Sequence, residues 1–255
     1  MSLVKPKKNL GQHFLRNEDI ARQIAESIIT SPKNVLEIGP GMGVLTKYLI
    51  PQGFENFNVV EIDRESVAYL QQHYPELQEH IWPKDFLALD LAALFEQSLT
   101  IIGNFPYNIS SQILFKILDY KDLVNEMVGM FQKEVAERVA AAPGKKQYGI
   151  LSVLLQAFYD IEYLFTVDEQ QFFPPPQVKS AVIRLIRNPE KQLHCPESLF
   201  KQVVKSAFNQ RRKTLRNSLS QYEFPEEYRQ NPIFTRRPEQ LSVQEFEELC
   251  TNIII

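Results

Sequence analysis

Short apolar runs alternate with amphipathic stretches through the first two thirds of the chain. The runs are Val35–Ile38, Val59–Ile62, Ile101–Ile102, Met127–Phe131, Tyr163–Val167 and Ala181–Ile186, with a weaker one at Ile81-Trp82. Helical periodicity falls between the early runs, near 43–50, 64–73, 108–119 and 132–141. A further helix is expected after Asn17, which can cap it, with Ile20, Ile24 and Ile28 recurring every four residues. Such alternation predicts an α/β fold: a mostly parallel sheet with helices on both faces. The last two runs have only a short connection between them and are candidates for an antiparallel pair. Asn188-Pro189 and Cys195-Pro196 bracket a polar stretch that reads as a linker. Beyond it the pattern is helical only, near 197–208, 211–220 and 238–250. The expected organisation is one α/β domain over 1–187 and a small all-α domain over 188–255.

Composition limits the classes. With 44% hydrophobic residues in 255, the chain can bury a large core. No stretch of about 18 uncharged apolar residues occurs, so no membrane span is expected. The N-terminus lacks the apolar run of a signal peptide. Cys195 and Cys250 are too few for a disulfide framework and lack zinc spacing, so the cytoplasm is the default compartment and no metal is expected.

The net charge of -3 argues against a nucleic-acid partner, but its distribution reverses that. Residues 1–16 carry Lys5, Lys7, Lys8 and Arg16 and no acid. Residues 201–216 carry Lys201, Lys205, Arg211, Arg212, Lys213 and Arg216 and no acid. Two basic patches therefore sit on an acidic body, and patches set local attraction to phosphate. A basic helix face that is merely solvated is the alternative.

Three stretches carry candidate chemistry. Val35-Leu36-Glu37-Ile38-Gly39-Pro40-Gly41-Met42-Gly43 reads as a strand followed by a glycine turn, and holds three of the chain's nine glycines. Glycine permits positive φ and close backbone approach, and a ligand there lies at a strand's carboxyl end. NAD, FAD and S-adenosylmethionine all suit such a turn. Glu37 could orient it or be a buried structural acid. Glu61 and Asp63, at the end of the next strand, both qualify by position to accept from ribose hydroxyls. Asp85 follows the third element and could accept from an adenine amine, with Phe86 beside it to cover the base. A dinucleotide would need a helix N-terminus aimed at pyrophosphate, whereas S-adenosylmethionine has no phosphate and carries a sulfonium cation.

The second stretch is Asn104-Phe105-Pro106-Tyr107, at the end of another strand. An adenine amine is a poor nucleophile because its lone pair is delocalised into the ring. The Asn104 side-chain oxygen and the Phe105 carbonyl could accept its two N–H groups, Pro106 would stiffen the turn, and Tyr107 offers a face for the base. A turn capped by Asn108 or Ser110 is the alternative. The third stretch is Phe172-Phe173-Pro174-Pro175-Pro176, where a rigid backbone could hold Phe172 against the base opposite Tyr107. A core-packed loop is the alternative.

These stretches occur in one order with Asn9-Leu10-Gly11-Gln12-His13-Phe14-Leu15, Val178-Lys179-Ser180 and Ala207-Phe208-Asn209-Gln210-Arg211-Arg212-Lys213-Thr214-Leu215-Arg216. Together they resemble the bacterial small-subunit ribosomal RNA adenine dimethyltransferases. The resemblance implies a class I methyltransferase fold and S-adenosylmethionine as methyl donor. It implies two methylations on each of two adjacent adenosines near the 3′ end of 16S rRNA, a role late in small-subunit assembly, and a monomer. It places donor contacts on His13, Leu15, Gly39, Gly41, Glu61, Asp85 and Asn104, and catalysis on Asn104, Phe105, Pro106, Tyr107 and Phe172. Phosphate contacts would fall on Lys205, Arg211, Arg212, Lys213 and Arg216. The family has Asn or His at position 13, which argues for a neutral contact there, and often Leu at position 105. The rivals are the related large-subunit enzymes of macrolide resistance, DNA adenine methyltransferases, whose turn usually has a second proline where Phe105 stands, and an assembly factor that has lost catalysis.

Overall fold

Seven strands form one sheet in the order β4-β3-β2-β5-β6-β9-β7 in the computed structural model, which describes residues 4–254. The strands are β2 (Asn34–Ile38), β3 (Asn56–Val60), β4 (Ile81–Trp82), β5 (Leu99–Asn104), β6 (Val124–Gln132), β7 (Tyr159–Val167) and β9 (Ser180–Arg187). Two short strands, β1 (Phe14–Leu15) and β8 (Phe172–Phe173), make a separate antiparallel ladder. Residues 1–3 of the expected basic segment and Ile255 lie outside the described residues.

The expected strands all form, and the pairings from β4 through β6 are parallel. Strand β9 runs antiparallel to β6 and has β7 as its other neighbour. Every residue of β2 is buried, which requires cover on both faces of the sheet. Several strands begin earlier than their apolar runs, and at the other end β3 stops at Val60, so Glu61 and the exposed Ile62 belong to the loop at its carboxyl end.

Chain order fixes where a ligand can bind. From β2 the chain runs outward through β3 and β4, then returns to the other side of β2 as β5. The strand order reverses between β2 and β5, and such a switch point opens a crevice beyond the strands' carboxyl ends. The glycine turn leaves β2 there, and Asn104 is the last residue of β5.

The first α-helix, Glu18–Ala25, is capped at its start and followed by a turn held to the sheet. Asn17 caps its start by accepting from the Ile20 N–H at 3.0 Å. The fully buried Glu126 of β6 accepts from the Ile29 N–H at 2.9 Å, the Thr30 N–H at 3.2 Å and the Thr30 hydroxyl. Three donors on one carboxylate offset its desolvation.

Phe105 is 1% exposed and its ring enters the core, 5.0 Å from that of Phe131. Room for it comes from two glycines paired across β5 and β6, Gly103 and Gly129. A Cβ on Gly129 would lie 2.3 Å from the Phe105 ring, and one on Gly103 would lie 2.7 Å from it. A phenylalanine thus fits here because both neighbouring positions lack side chains.

Contacts divide the chain into two units, residues 1–136 with 161–187, and residues 137–160 with 188–255. The chain passes from one unit to the other at 136/137, 160/161 and 187/188. The inclusion of 137–160 in the second unit had no counterpart in the sequence pattern. That unit contains the helices Ile150–Gln156, Glu197–Asn209, Leu215–Ser218, Glu226–Arg229 and Val243–Thr251. The helix expected near 211–220 is shorter, because Arg211–Lys213 form a turn and the Leu215 N–H donates to the Arg236 carbonyl instead.

Gly129→Ala should destabilise the protein by about 1–3 kcal/mol through overpacking against Phe105. Adding Phe105→Leu should recover part of that loss. Urea unfolding of the two single variants and the double variant measures the coupling.

Candidate active site

The glycine turn, the end of β5 and the N-terminal segment line a cavity that opens to solvent. Its walls include Gln12, His13, Phe14, Gly39, Gly41, Glu61, Ile62, Asp85, Leu87, Asn104, Phe105, Pro106 and Tyr107. Gly39 and Gly41 have φ of 65° and 58°. At Gly41 a Cβ would also meet the Phe14 ring at 2.9 Å, so backbone forms the cavity wall there.

The strand-end acids divide the work. Glu61 is buried and accepts from the Gly41 N–H at 3.0 Å and from the Asp63 N–H at 2.8 Å. It therefore shapes the glycine turn while lining the cavity. Burial pushes its carboxyl up, against the lowering effect of those N–H bonds. Glu37 has no part in the cavity wall. It is 1% exposed and accepts from the Thr46 hydroxyl at 2.7 Å, and burial raises its pKa to about 8.

Of the two acids that qualify by position, Asp63 does not line the cavity. It is 2% exposed and turned toward the N-terminal segment, where it accepts from the Lys7 ammonium and from the Gln12 amide at 3.2 Å. It also accepts from the Glu65 N–H and the Ser66 hydroxyl, both at 3.2 Å, and so caps the following helix. Burial pushes its carboxyl up, but the Lys7 and Gln12 bonds outweigh this and hold it below the ordinary range. Lys7 also pairs with Glu65 at 3.1 Å. Two acids thus anchor residues 7–13 across the mouth of the cavity.

The anchored segment orients the Asn104–Tyr107 turn. The Asn104 side-chain N–H donates to the His13 carbonyl at 3.0 Å. With its donor end engaged, the amide is left with Oδ1 as an acceptor, and among the described residues that oxygen has no hydrogen-bond partner. His13 itself is fixed twice, by Nδ1 at 2.8 Å from the Pro174 carbonyl and by stacking on Tyr107 with centroids 5.3 Å apart. The Phe105 N–H donates to the Met130 carbonyl at 3.1 Å, while its ring packs in the core. The Tyr107 hydroxyl bonds with that of the fully buried Ser180. Burial raises the Tyr107 pKa against this bond, keeping it a neutral phenol.

Two expected site residues lie elsewhere. Phe172 is 2% exposed and packs in the core with Leu15, its partner in the β1–β8 ladder. It cannot stack on a ligand. Leu15 is 4% exposed in the same cluster and does not line the cavity. Side chains alternate along a strand, so burying Phe172 turns its neighbour Phe173 outward. Phe173 is 47% exposed, with the Arg16 guanidinium 4.4 Å above its ring. Asp85 does line the cavity, and its side chain accepts from the Leu87 N–H at 2.9 Å. Among the expected phosphate contacts, Lys205, Arg212, Lys213 and Arg216 are exposed, while the half-buried Arg211 donates to the Lys146 carbonyl.

The donor set fits one ligand class. No lysine or arginine lines the cavity among the described residues, which suits a sulfonium cation better than a pyrophosphate. Glu61 and Asp85 offer carboxylate oxygens where ribose and adenine would need acceptors, and the apolar Ile62 and Leu87 offer surface for a base. No group of three or more His, Cys, Asp or Glu residues suits a metal among the described residues.

Comparison with known proteins agrees with this chemistry. Residues 4–254 match the family model "Ribosomal RNA adenine dimethylase". A "Ribosomal RNA small subunit methyltransferase A" from Parabacteroides distasonis is 59% identical over 98% of this chain and 94% of its own length. One of the same name from Cytophaga hutchinsonii is 56% identical over 100% and 99%. Among solved structures, a dimethyladenosine transferase from Plasmodium falciparum superposes with a TM-score of 0.79 at 25% identity, over 93% of this chain and 96% of that one. The 23S rRNA methyltransferase ErmE shares the fold, with a TM-score of 0.72 at 24% identity over 93% and 99%.

Glu37 gives a test of the local electrostatics. Its folded pKa of about 8 lies above the ordinary 4.5, so folding favours its protonated form. The stability tied to that proton is complete below pH 4.5 and is lost as pH rises toward 8. Glu37→Gln removes the titration. Urea midpoints should show the variant gaining on the native protein between pH 5 and pH 8.

Proposed function

The chain belongs to the ribosomal RNA adenine dimethylase family, and from that premise we propose that it transfers methyl groups from S-adenosylmethionine to N6 of two adjacent adenosines near the 3′ end of 16S rRNA. The substrate would be the assembling small ribosomal subunit in the cytoplasm, engaged by a monomer late in biogenesis. No helix among the described residues is long and apolar enough to cross a membrane. One observation carries the reading: the Asn104 amide is turned so that its oxygen is the acceptor beside the glycine turn.

S-adenosylmethionine would supply an activated methyl group on a sulfonium. The protein's task is then to present the amine. Asn104 Oδ1 and the Phe105 carbonyl accept its N–H groups and draw the nitrogen from planar toward tetrahedral geometry, which localises the lone pair. The N6 lone pair forms the new C–N bond as the methyl–sulfur bond breaks and its electrons stay on sulfur. The cationic amine then loses a proton to water. No side-chain base is needed before attack, in keeping with a Tyr107 held neutral by burial and bonded to Ser180. Rigid placement of the amine supplies much of the rate.

To reach Asn104 an adenine must leave its stack, as for other base-modifying enzymes. Tyr107, already stacked on His13, offers it a face, and Phe173 with Arg16 is the exposed aromatic available for neighbouring bases. Gly39, Gly41, Glu61, Asp85 and His13 would hold the methyl donor. The basic residues Lys205, Arg211, Arg212, Lys213 and Arg216 would contact phosphates, which positions the protein without reading sequence. Selectivity then comes from the shape of the rRNA and access to an unpaired loop.

Transfer of labelled methyl groups to undermodified small subunits, with mature large subunits as control, tests the reaction. The expected product is dimethyladenosine on the small subunit alone. Asn104→Ala should lower transfer about 10²–10³-fold, as for loss of one preorganised polar contact, while leaving subunit binding intact. Equal loss of both would refute the role given to Asn104. Neutralising Arg212, Lys213 and Arg216 together should weaken subunit binding and reduce its log–log salt slope by about one unit for each phosphate contact removed.

A further inference from the structure

The helix Ser110–Asp119 leads away from the catalytic turn, and its Lys116 is only partly exposed. A lysine on a helix usually buries its stem and keeps its head in water. Here the head turns onto another loop. The Lys116 ammonium donates to the Leu87 carbonyl at 3.0 Å and to the Leu89 carbonyl. It also lies 5.3 Å from the ring centroid of Phe86 and 5.5 Å from that of Tyr120. The rings and carbonyls form a half-buried cage for one cation, and a three-donor ammonium suits it.

The caged loop is the one that carries Asp85. The Asp85 carboxylate accepts from the N–H of Leu87, the residue whose carbonyl Lys116 holds. Farther on, Asp90 accepts from the Ala92 N–H and from the Tyr120 hydroxyl, both at 3.1 Å. Asp85 and Leu87 line the cavity, whereas Lys116 does not. Residues 85–90 contain only a single short turn, Phe86–Ala88, so their own backbone bonds do little to fix them.

We propose that Lys116 is a positioning residue for the adenine end of the methyl donor: by tying Leu87 and Leu89 to the helix behind the catalytic turn, it holds the Asp85 carboxylate where an adenine amine would meet it. The inference rests on the reading of Asp85 as the adenine acceptor given above. It also joins the two halves of the site mechanically, since one helix carries both the catalytic turn at its start and the cation at its far end. Burial lowers the Lys116 pKa, and the nearby Asp85, Asp90 and Asp119 oppose that.

The test uses the full-length enzyme with Lys116→Met, Lys116→Arg and Asp85→Asn. Binding of S-adenosylhomocysteine and of adenosine alone is measured by calorimetry, and methyl transfer to undermodified small subunits is followed at varied donor concentration. Lys116→Met should raise both dissociation constants and the donor KM about tenfold, the scale of losing charged hydrogen bonds. The kcat at saturating donor should stay within about twofold, because the catalytic turn is untouched. Lys116→Arg should restore part of the affinity. If Lys116→Met does not fold, Lys116→Gln and Lys116→Arg carry the same comparison. Unchanged affinity in the Lys116 variants beside a weakened Asp85→Asn would overturn the role of Lys116. A fall in kcat with affinity intact would do so too, making Lys116 a support of the catalytic turn instead. Unchanged affinity in Asp85→Asn would remove the premise that Asp85 holds adenine, whatever Lys116 does.

Discussion

A carboxamide has a donor end and an acceptor end, and at Asn104 the fold gives the two different partners. The His13 carbonyl takes the donor end, and that single bond decides which end the cavity receives. Much of the N-terminal structure bears on it. His13 is held by Pro174 and Tyr107, its segment is tied down by Asp63 through Lys7 and Gln12, and β1 is laddered to β8. A segment that makes no part of the main sheet thus determines which polar atom is presented at the end of one of its central strands.

Three acids near the ends of two adjacent strands show how environment assigns roles. Glu37 is buried against a hydroxyl and favours its proton. Glu61 accepts from backbone N–H groups of the glycine turn and its flank, and faces the cavity. Asp63 meets an ammonium and is held ionised. Their residue type and their neighbourhood in the sequence are nearly the same. Desolvation, dipoles and a cation separate them.

Much of this was legible in the sequence. The apolar runs marked the sheet, because strands covered on both faces read as continuous hydrophobic segments. The glycine turn and Asn104-Phe105-Pro106-Tyr107 could be placed at strand ends, and the structure brings both to one cavity. The failures share a cause, the lack of a local signal. Two-residue strands have no periodicity, so the β1–β8 ladder was invisible, and with it the fact that Phe172 faces the core and Phe173 the solvent. Glu61 and Asp63 both sit at the strand end, and only the position of Lys7 and Gln12, more than fifty residues earlier, tells them apart. The membership of residues 137–160 in the second unit depends on contacts with residues far along the chain, which no window of sequence contains. The role of Lys116 had no signal in the sequence, since a pair of backbone carbonyls leaves no trace in side-chain pattern.

The Phe105 ring occupies space that its neighbours have given up, since Gly103 and Gly129 have no side chains to put there. Positions 105 and 129 therefore share one volume. A lineage that shortened residue 105 would relieve the tightest contact of a methyl group at 129, whereas one at 103 would still meet the Ile38 carbonyl oxygen at 2.6 Å. The histories of 105 and 129 should be linked, with substitutions arriving in compensating pairs, even though the two are far apart along the chain and 103 stays glycine. Asn104 stands beside this pair but outside the exchange, because its side chain answers to the His13 carbonyl and the cavity. The turn can thus hold its chemistry constant while the packing beneath it drifts.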